Sequence, residues 1–580
     1  MSLEGVKSPA IPLAIPLVPR ARTARRVRRH RLGRTALVGI AFLALWFGFL
    51  ELRGLYFPDE GRYAEIPREM QASGDWVTPR LNGFPYLEKP PLQYWITAAI
   101  FHVVGEDEWT ARLGTAMAGL LALVAVMFTT RRLHSRRAGW MAAALMASCF
   151  GAFAGTQFVT LDTSLVAMLT FALCAFVLAQ RPGATADDTR RWMLVAWAAS
   201  ALAVLTKGAI GVVIPAMAVV AYCASTWDWS LFRRLHLGWG IAVLMALVAP
   251  WFVTVEHQNP GFTAYFFIHE HWQRFTSPEH RRTGALWYYV PIAAIALMPW
   301  LPALVACARR RAGTPAVVTP GAFRTQRFLW CWVICIIAFF SLSASKLPAY
   351  ILPALPALVL AMAPTLAQRW GASLRITAWT CIAGGLVLVV SALPVARLIR
   401  VEQVYEAYRD NQGWLILAGV GFVVTGAATL MSQRSGRPLR SLTMLVLGSI
   451  FSCQLGFVMG YGMDAYFSAE KLIERVAGGE SNRPFQPGVP FYSVDVFDHT
   501  VPFYLGRTVI LVKEKNELAL GIVAAPGNYI AELETFADRW NAERQAYAIM
   551  RPETYQKLQA GGLPMRFLDT DGRRVVVTRR

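Results

Sequence analysis

The residues best suited to chemistry crowd into one polar stretch, Pro58 to Pro91 (PDEGRYAEIPREMQASGDWVTPRLNGFPYLEKPP). It holds Asp59, Glu60, Glu65, Glu69, Asp75 and Glu88, together with Arg62, Arg68, Arg80 and Lys89. Only 16% of the chain is charged, so this is a concentration that calls for a reason. The adjacent acids Asp59 and Glu60 can act as a general base, bind a metal, or simply be solvated. In PYLEKPP, Tyr86, Glu88 and Lys89 form a second cluster. An ammonium there suits a lipid-linked phosphate or diphosphate. Glu88 suits a base or a metal ligand, and a plain Glu–Lys pair capping a turn is the structural alternative.

Further polar groups follow at the ends of apolar runs: Gln157, Thr160 and Asp162, then Lys207. TAYFFIHEHWQRFTSPEHRR adds His269, His271, Arg274 and His280, with His257 just before it. A carboxylate with two histidines is a reasonable divalent-metal set, zinc included, although His-x-His is no zinc-protease signature. Histidines lying among interfacial aromatics are the competing reading. FFSLSASKLPAYILPALPAL places Ser345, Lys346 and Tyr350 before another apolar run. Lys346 suits a phosphate and Tyr350 a lipid's path, and snorkelling explains such a lysine equally.

These groups need a scaffold, and composition says which. The chain of 580 residues is 55% hydrophobic, with a mean hydropathy of +0.39. Its apolar residues form repeated, nearly uncharged runs of the length that crosses about 30 Å of hydrocarbon. Helices are expected, since strand periodicity is weak. The expected spans are 35–52, 110–130, 138–156, 160–180, 192–206, 208–226, 235–254, 285–308, 327–344, 347–367, 374–397, 413–431 and 439–460, about thirteen transmembrane helices. The 92–105 piece is too short to span and reads as an interfacial helix. Cys149, Cys174, Cys223, Cys307, Cys331, Cys335, Cys381 and Cys453 lie in or beside apolar runs and read as small packing residues.

Orientation follows from arginine. Residues 1–34 are basic and place the amino end in the cytoplasm. With thirteen spans, alternate loops carry Arg131/Arg132/Arg136/Arg137, Arg190/Arg191, Arg233/Arg234, Arg309/Arg310/Arg311, Arg369 and Arg434/Arg437/Arg440. That is the positive-inside pattern. It accounts for the net charge of +21 without nucleic acid. The loops 54–109 and 256–282 then share the other side with the tail 461–580. The tail alternates like strands in VPFYSVDVF and RTVILVKEK and reads as helical over ELETFADRWNAERQAYAIM, which suits a small α/β domain.

Acids and bases thus converge on one face outside the cytoplasm, and no nucleotide-binding loop occurs. A lipid carrier is the natural source of an activated group there. The expected chemistry is glycosyl transfer from a polyprenyl phosphate sugar, with an acid serving the acceptor and a cation stabilising the departing lipid phosphate. No nucleotide or organic cofactor is expected.

PDEGRYAEIPREM, GDWVTPRLNGFPYLEKPPLQYW and SASKLPAYILPALPAL, in that order, resemble aminoarabinose transferases of the ArnT type, within the protein O-mannosyltransferase-like group with the GT-C fold. The resemblance covers about residues 35–460, and the tail fits the family's periplasmic domain. It implies transfer of 4-amino-4-deoxy-L-arabinose from undecaprenyl phosphate to lipid A phosphates in the Gram-negative inner membrane, with resistance to polymyxin-type peptides. It implies Asp59, Lys89 and Asp162 as catalytic residues and Glu88 with His269 as metal ligands. Arg62, Tyr63, Tyr86, Lys207, Arg274, Lys346 and Tyr350 would hold substrate and lipid phosphate. The expected partners are the lipid-linked donor, lipid A and membrane lipids, with the protein a monomer. A protein mannosyltransferase shares the acidic first-loop pair, and a flippase for a lipid-linked sugar is the alternative outside enzymology.

Overall fold

In hydrocarbon every backbone N–H and C=O needs a partner within its own segment, so the uncharged runs become helices. The computed structural model describes residues 20–273, 284–311, 323–479, 485–486 and 488–579. Among them, seven helices are long and apolar enough to cross a membrane: Glu108–Leu133 (α4), Leu161–Ala179, Leu237–Gln258, Thr325–Leu342, Trp370–Ala396, Glu402–Arg434 and Pro438–Asp464. A further pair, Tyr289–Ala296 and Leu301–Arg309, passes the same test jointly but is bent by 104°. The molecule is a multi-pass helical membrane protein.

Seven or eight such helices are fewer than the thirteen spans expected. The remaining expected segments are helical, but short or charged at one end. Gly33–Phe47, at the end of α1 (Arg20–Phe47), Ile210–Thr226 and Ala354–Gln368 each fall below the crossing length. Arg136–Ser148 has 13 residues, about 20 Å of helix. Ala186–Lys207 has 22 residues but opens on Asp187, Asp188, Arg190 and Arg191. The boundary at Lys207 is resolved as two helices: the first ends there, Gly208 adopts φ 90°, and the next begins at Ile210. A Cβ on Gly211 would lie 2.5 Å from the Val204 nitrogen, so glycine permits this tight turn between the two.

The polar stretch is ordered. Helix α2 (Asp59–Ser73) carries its first acids and ends at Gly74 in the left-handed conformation. A two-stranded hairpin follows, β1 (Arg80–Leu81) with β2 (Phe84–Pro85). Then comes α3 (Leu92–Val104), the expected short helix. It buries Gln93, Tyr94, Thr97, Ala98 and Phe101 and leaves Val103 exposed. Ser164, in the first turn of Leu161–Ala179, donates to Gln93, which ties α3 to the helix bearing Asp162.

The tail forms a six-stranded mixed sheet ordered β5-β4-β3-β6-β8-β7: β3 (Phe491–Val494), β4 (Ile510–Val512), β5 (Tyr529–Ile530), β6 (Ala546–Met550), β7 (Arg566–Thr570) and β8 (Val575–Arg579). β5, β4, β3 and β6 run parallel, while β8 is antiparallel to both β6 and β7. One expectation is corrected. The stretch read as a single helix is a helix only over Leu533–Ala542, and AYAIM is β6, a central strand. Its side chains Ala546, Ala548 and Met550 are fully buried, and pairing on both sides outweighs local helix preference.

Alternation along the strands gives the sheet two apolar faces. One packs on Phe536 and Trp540. The other, with Phe491, Leu511, Ile549 and Val576, shares a core with Leu55, Ala64, Ile66 and Met70 of the polar stretch. Helix α2 is thus clamped against the tail. A Cβ on Gly61 would sit 2.7 Å from both the His499 carbonyl carbon and the Thr500 nitrogen. Gly61→Ala should therefore force α2 off that backbone and lower stability by about 1–3 kcal/mol, read as a fall in Tm.

Candidate active site

Asp59 and Glu60 are adjacent on α2 and face different ways, as neighbours in a helix must. Asp59 is 56% exposed, and its Oδ1 accepts from Arg62 Nη2 at 2.9 Å. Glu60 is buried, accepting from Arg53 at 2.7 Å, from Arg112 Nε and Nη2 at 2.9 and 3.0 Å, and from the Val159 N–H at 3.0 Å. The two acids are therefore no pair. Burial opposes ionisation of Glu60, but Arg112 and Arg53 outweigh it and hold the carboxyl down to about 2.

From Asp59 a chain of contacts runs across the polar stretch. Arg62 Nη1 donates to Tyr86 Oη at 3.0 Å and to Glu517 at 2.7 Å. Tyr86 Oη donates to Glu88 Oε2 at 3.1 Å. Lys89 Nζ donates to Glu270 at 2.7 Å and to the Glu88 carbonyl at 2.9 Å, 3.8 Å from the Glu88 carboxylate. His269 Nδ1 lies 3.5 Å from Glu270, and its ring stacks on Tyr265. Burial raises the carboxyl of Glu88 above its ordinary range, against the pull of Lys89 and helped by the like charge of Glu270. Burial likewise raises the phenols of Tyr63 and Tyr86.

A second group is Asp162, Lys207 and Tyr350. Lys207 Nζ pairs with Asp162 Oδ1 and lies 4.9 Å over the Tyr350 ring. Tyr63 feels the charges of Asp59, Asp162 and Glu88, so the two groups border one region. Its ring also lies 5.4 Å from the Arg62 guanidinium. Lys346 is buried, and its Nζ donates to the Ser343 carbonyl at 2.6 Å. Arg274 and His280 lie outside the described residues.

The expected metal pair, Glu88 with His269, is adjacent to a cation the protein supplies itself. The ammonium of Lys89 lies 3.8 Å from Glu88 and 2.7 Å from one oxygen of Glu270, and His269 Nδ1 lies 3.5 Å from the other oxygen of Glu270. Among the described residues no three His, Cys, Asp or Glu side chains converge as a ligand set.

Several residues of this network carry no signal in the sequence. Glu270 lies inside the His-Glu-His run and accepts from Lys89. Glu517 and His499 come from the tail, more than 400 positions away in the chain, as Glu517–Arg62 illustrates. Arg53 and Arg112 look like ordinary basic residues at span ends.

An acid exposed beside a guanidinium, and an ammonium set among carboxylates at the edge of a helical membrane bundle, suit transfer of a group between anionic lipids. Residues 35–266 match the dolichyl-phosphate-mannose-protein mannosyltransferase family, and residues 480–579 match the aminoarabinose transferase C-terminal domain. Fold and site define a membrane glycosyltransferase that uses a polyprenyl-phosphate-linked sugar. The undecaprenyl phosphate-alpha-4-amino-4-deoxy-L-arabinose arabinosyl transferase of Pectobacterium carotovorum is 31% identical over 437 residues, 72% of this chain and 76% of that one. The protein of that name from Pseudomonas aeruginosa is 32% identical over 424 residues, 71% and 73% of the two chains. The crystal structure of ArnT from Cupriavidus metallidurans bound to undecaprenyl phosphate superposes with a TM-score of 0.86 at 33% identity, covering 94% of this chain and 98% of that one. The chain belongs to the ArnT family of aminoarabinose transferases.

Proposed function

We propose that the protein moves 4-amino-4-deoxy-L-arabinose from undecaprenyl phosphate to phosphate groups of lipid A, at the periplasmic face of a Gram-negative inner membrane. The observation that carries this reading is the joined network Asp59–Arg62–Tyr86–Glu88–Lys89–Glu270, three acids and two cations linked through one phenol. Family membership supports the donor and the sugar. In the reaction, an acceptor phosphate oxygen forms a bond to the sugar's anomeric carbon. The bond from that carbon to the donor phosphate oxygen breaks, and undecaprenyl phosphate leaves with the electron pair.

Lys89 would neutralise the charge that grows on the leaving phosphate. Asp59, held by Arg62, would orient the acceptor or take its proton where it has one. Asp162 would fix Lys207 toward the same phosphate region, with Tyr63 and Tyr350 along the lipid's path. Lys346 and Arg274 complete the proposed phosphate-binding set. Glu88 serves through its bond with Tyr86 and its place beside Lys89. The added amine would lower the negative charge of lipid A and weaken binding of polymyxin-type cationic peptides.

The orientation that fits the arginine-bearing loops has thirteen crossings, counting the shorter and end-charged helices as spans. Residues 1–34 are then cytoplasmic, 35–460 form the membrane part and 461–580 the periplasmic part. A single copy contains the whole network, in keeping with a monomer.

The test is mass spectrometry of lipid A after incubation with purified protein and defined undecaprenyl phosphate-aminoarabinose. Lipid A bearing one or two aminoarabinose groups is the expected product. No transfer, under conditions where the Cupriavidus relative works, sinks the reading. Glycosylated polypeptide in place of lipid would point to the mannosyltransferase alternative, and donor flux without covalent product to a flippase.

A further inference from the structure

Glu517 belongs to the tail, yet its carboxylate ends inside the network of the polar stretch. One oxygen accepts from Arg62 Nη1 at 2.7 Å, and the other bonds His499 Nε2 at 2.7 Å. Burial opposes its charge, but His499 and Arg62 outweigh that and hold the carboxyl down to about 2. It therefore stays anionic at neutral pH, with its side chain 20% exposed.

The backbone around Glu517 is pinned at three points. Gly61 lets α2 rest directly on the His499–Thr500 peptide. A Cβ on Gly521 would lie 2.5 Å from the Pro85 carbonyl oxygen, so the segment after Glu517 lies flush on the hairpin. Asn82, at the hairpin's turn, exchanges two hydrogen bonds with the Val509 backbone, at 2.9 and 2.7 Å. These contacts leave the carboxylate of Glu517 little freedom relative to Arg62.

Arg62 needs such a partner. Its planar fork reaches Asp59 with one terminal nitrogen and both Tyr86 and Glu517 with the other, while Nε has no protein hydrogen-bond partner among the described residues. Asp59 is the more exposed of its two anions and can move with solvent; Glu517 cannot. The rotation of the guanidinium, and with it the direction of Asp59 and Tyr86, is set from the tail.

We infer that Glu517, backed by His499, is a positioning residue of the transfer site: it locks the Arg62 guanidinium so that Asp59 and the Tyr86–Glu88 pair hold one orientation toward the lipid phosphates. The inference rests on the transferase reading above. It makes the tail part of the catalytic apparatus through one carboxylate, where a plain tie between tail and membrane part would contribute only to stability.

The test uses the full-length protein in detergent or nanodiscs, with undecaprenyl phosphate-aminoarabinose and lipid A. Glu517→Gln keeps the shape and removes the charge. It should lower kcat per folded molecule by about 10- to 100-fold with KM for the donor near the wild-type value, alongside the lower Tm expected from losing a carboxylate that Arg62 and His499 stabilise. His499→Gln should give a smaller loss of the same kind, and Glu517→Asp should recover part of the rate. In an Arg62→Lys background, Glu517→Gln should cost almost nothing more, because both act through the same group. A wild-type kcat for Glu517→Gln overturns the inference. So does a lowered Tm with kcat per folded molecule unchanged, or costs that add across the Arg62→Lys pair. An inactive wild-type protein would instead sink the transferase reading itself, so the two failures are distinct.

Discussion

Lys89→Ala should reduce transfer by about 10²- to 10³-fold while leaving a folded protein, the cost typical of removing one group that stabilises charge developing in a transition state. Lys89 is the one member of the PYLEKPP cluster with a formal positive charge. Its ammonium lies 2.7 Å from Glu270 and 3.8 Å from Glu88. A leaving lipid phosphate gains negative charge as the sugar departs, and this ammonium is placed to meet it. The fold should survive, because Glu270 keeps His269 beside it and Glu88 can take up a proton. Burial already raises the carboxyl of Glu88, so that carboxyl can keep a proton once the ammonium is gone. Lys89→Arg should recover little, since a planar fork cannot occupy the place of a compact ammonium between two carboxylates. The measurements are kcat for aminoarabinose transfer and Tm on the same preparation. Normal turnover by folded K89A protein would refute this role for Lys89.

How much of this was legible beforehand depends on the range over which each signal acts. The bundle was, because a run of apolar residues declares its helix locally. The first polar group was too: Asp59, Arg62, Tyr86, Glu88 and Lys89 lie within one short stretch, and the structure joins them through hydrogen bonds. Asp162 with Lys207 was half legible. Each stood out as a charge at a span end, but their pairing needed the bundle. Glu517, His499 and Glu270 were not legible as partners, since nothing near them in the chain marks what they touch. The number of crossings was blurred for a different reason. Short helices such as Ile210–Thr226 have span-like composition, and only their observed ends reveal the length. The reading of AYAIM as helix failed because a central strand is chosen by its neighbours. Asp59-Glu60 misled in another way: two acids side by side invite a joint role, whereas helix geometry sends one outward and one into the core.

That inward acid supports the largest expected effect on stability. Glu60 is 2% exposed, and its two oxygens gather Arg53, Arg112 and the backbone N–H groups of Tyr56 and Val159. Arg112 also donates to the carbonyls of Arg53 and Gly54, both at 2.8 Å, and Arg53 to the carbonyl of Gln157. A single carboxylate therefore holds together the chain after α1, the first turn of α2, α4 and the segment leading to Asp162. Glu60→Ala leaves two buried guanidiniums without a counter-charge. The cost should be about 3–5 kcal/mol, a large share of the about 5–15 kcal/mol that stabilises a typical domain. The pH dependence has a definite sign. The folded carboxyl titrates at about 2, below the ordinary 4.5, so the stability it contributes is complete above pH 4.5. That stability is lost as pH falls from there toward 2, because the proton then binds the unfolded chain more readily than the folded one. Melts of the purified protein across this acid range should show a falling Tm for the wild type. Glu60→Gln should start lower at neutral pH and fall less on acidification, having no carboxylate left to protonate there. A wild-type Tm for Glu60→Ala at neutral pH would mean that the two arginines find other partners, and that Asp59 does not depend on Glu60 for its place at the site.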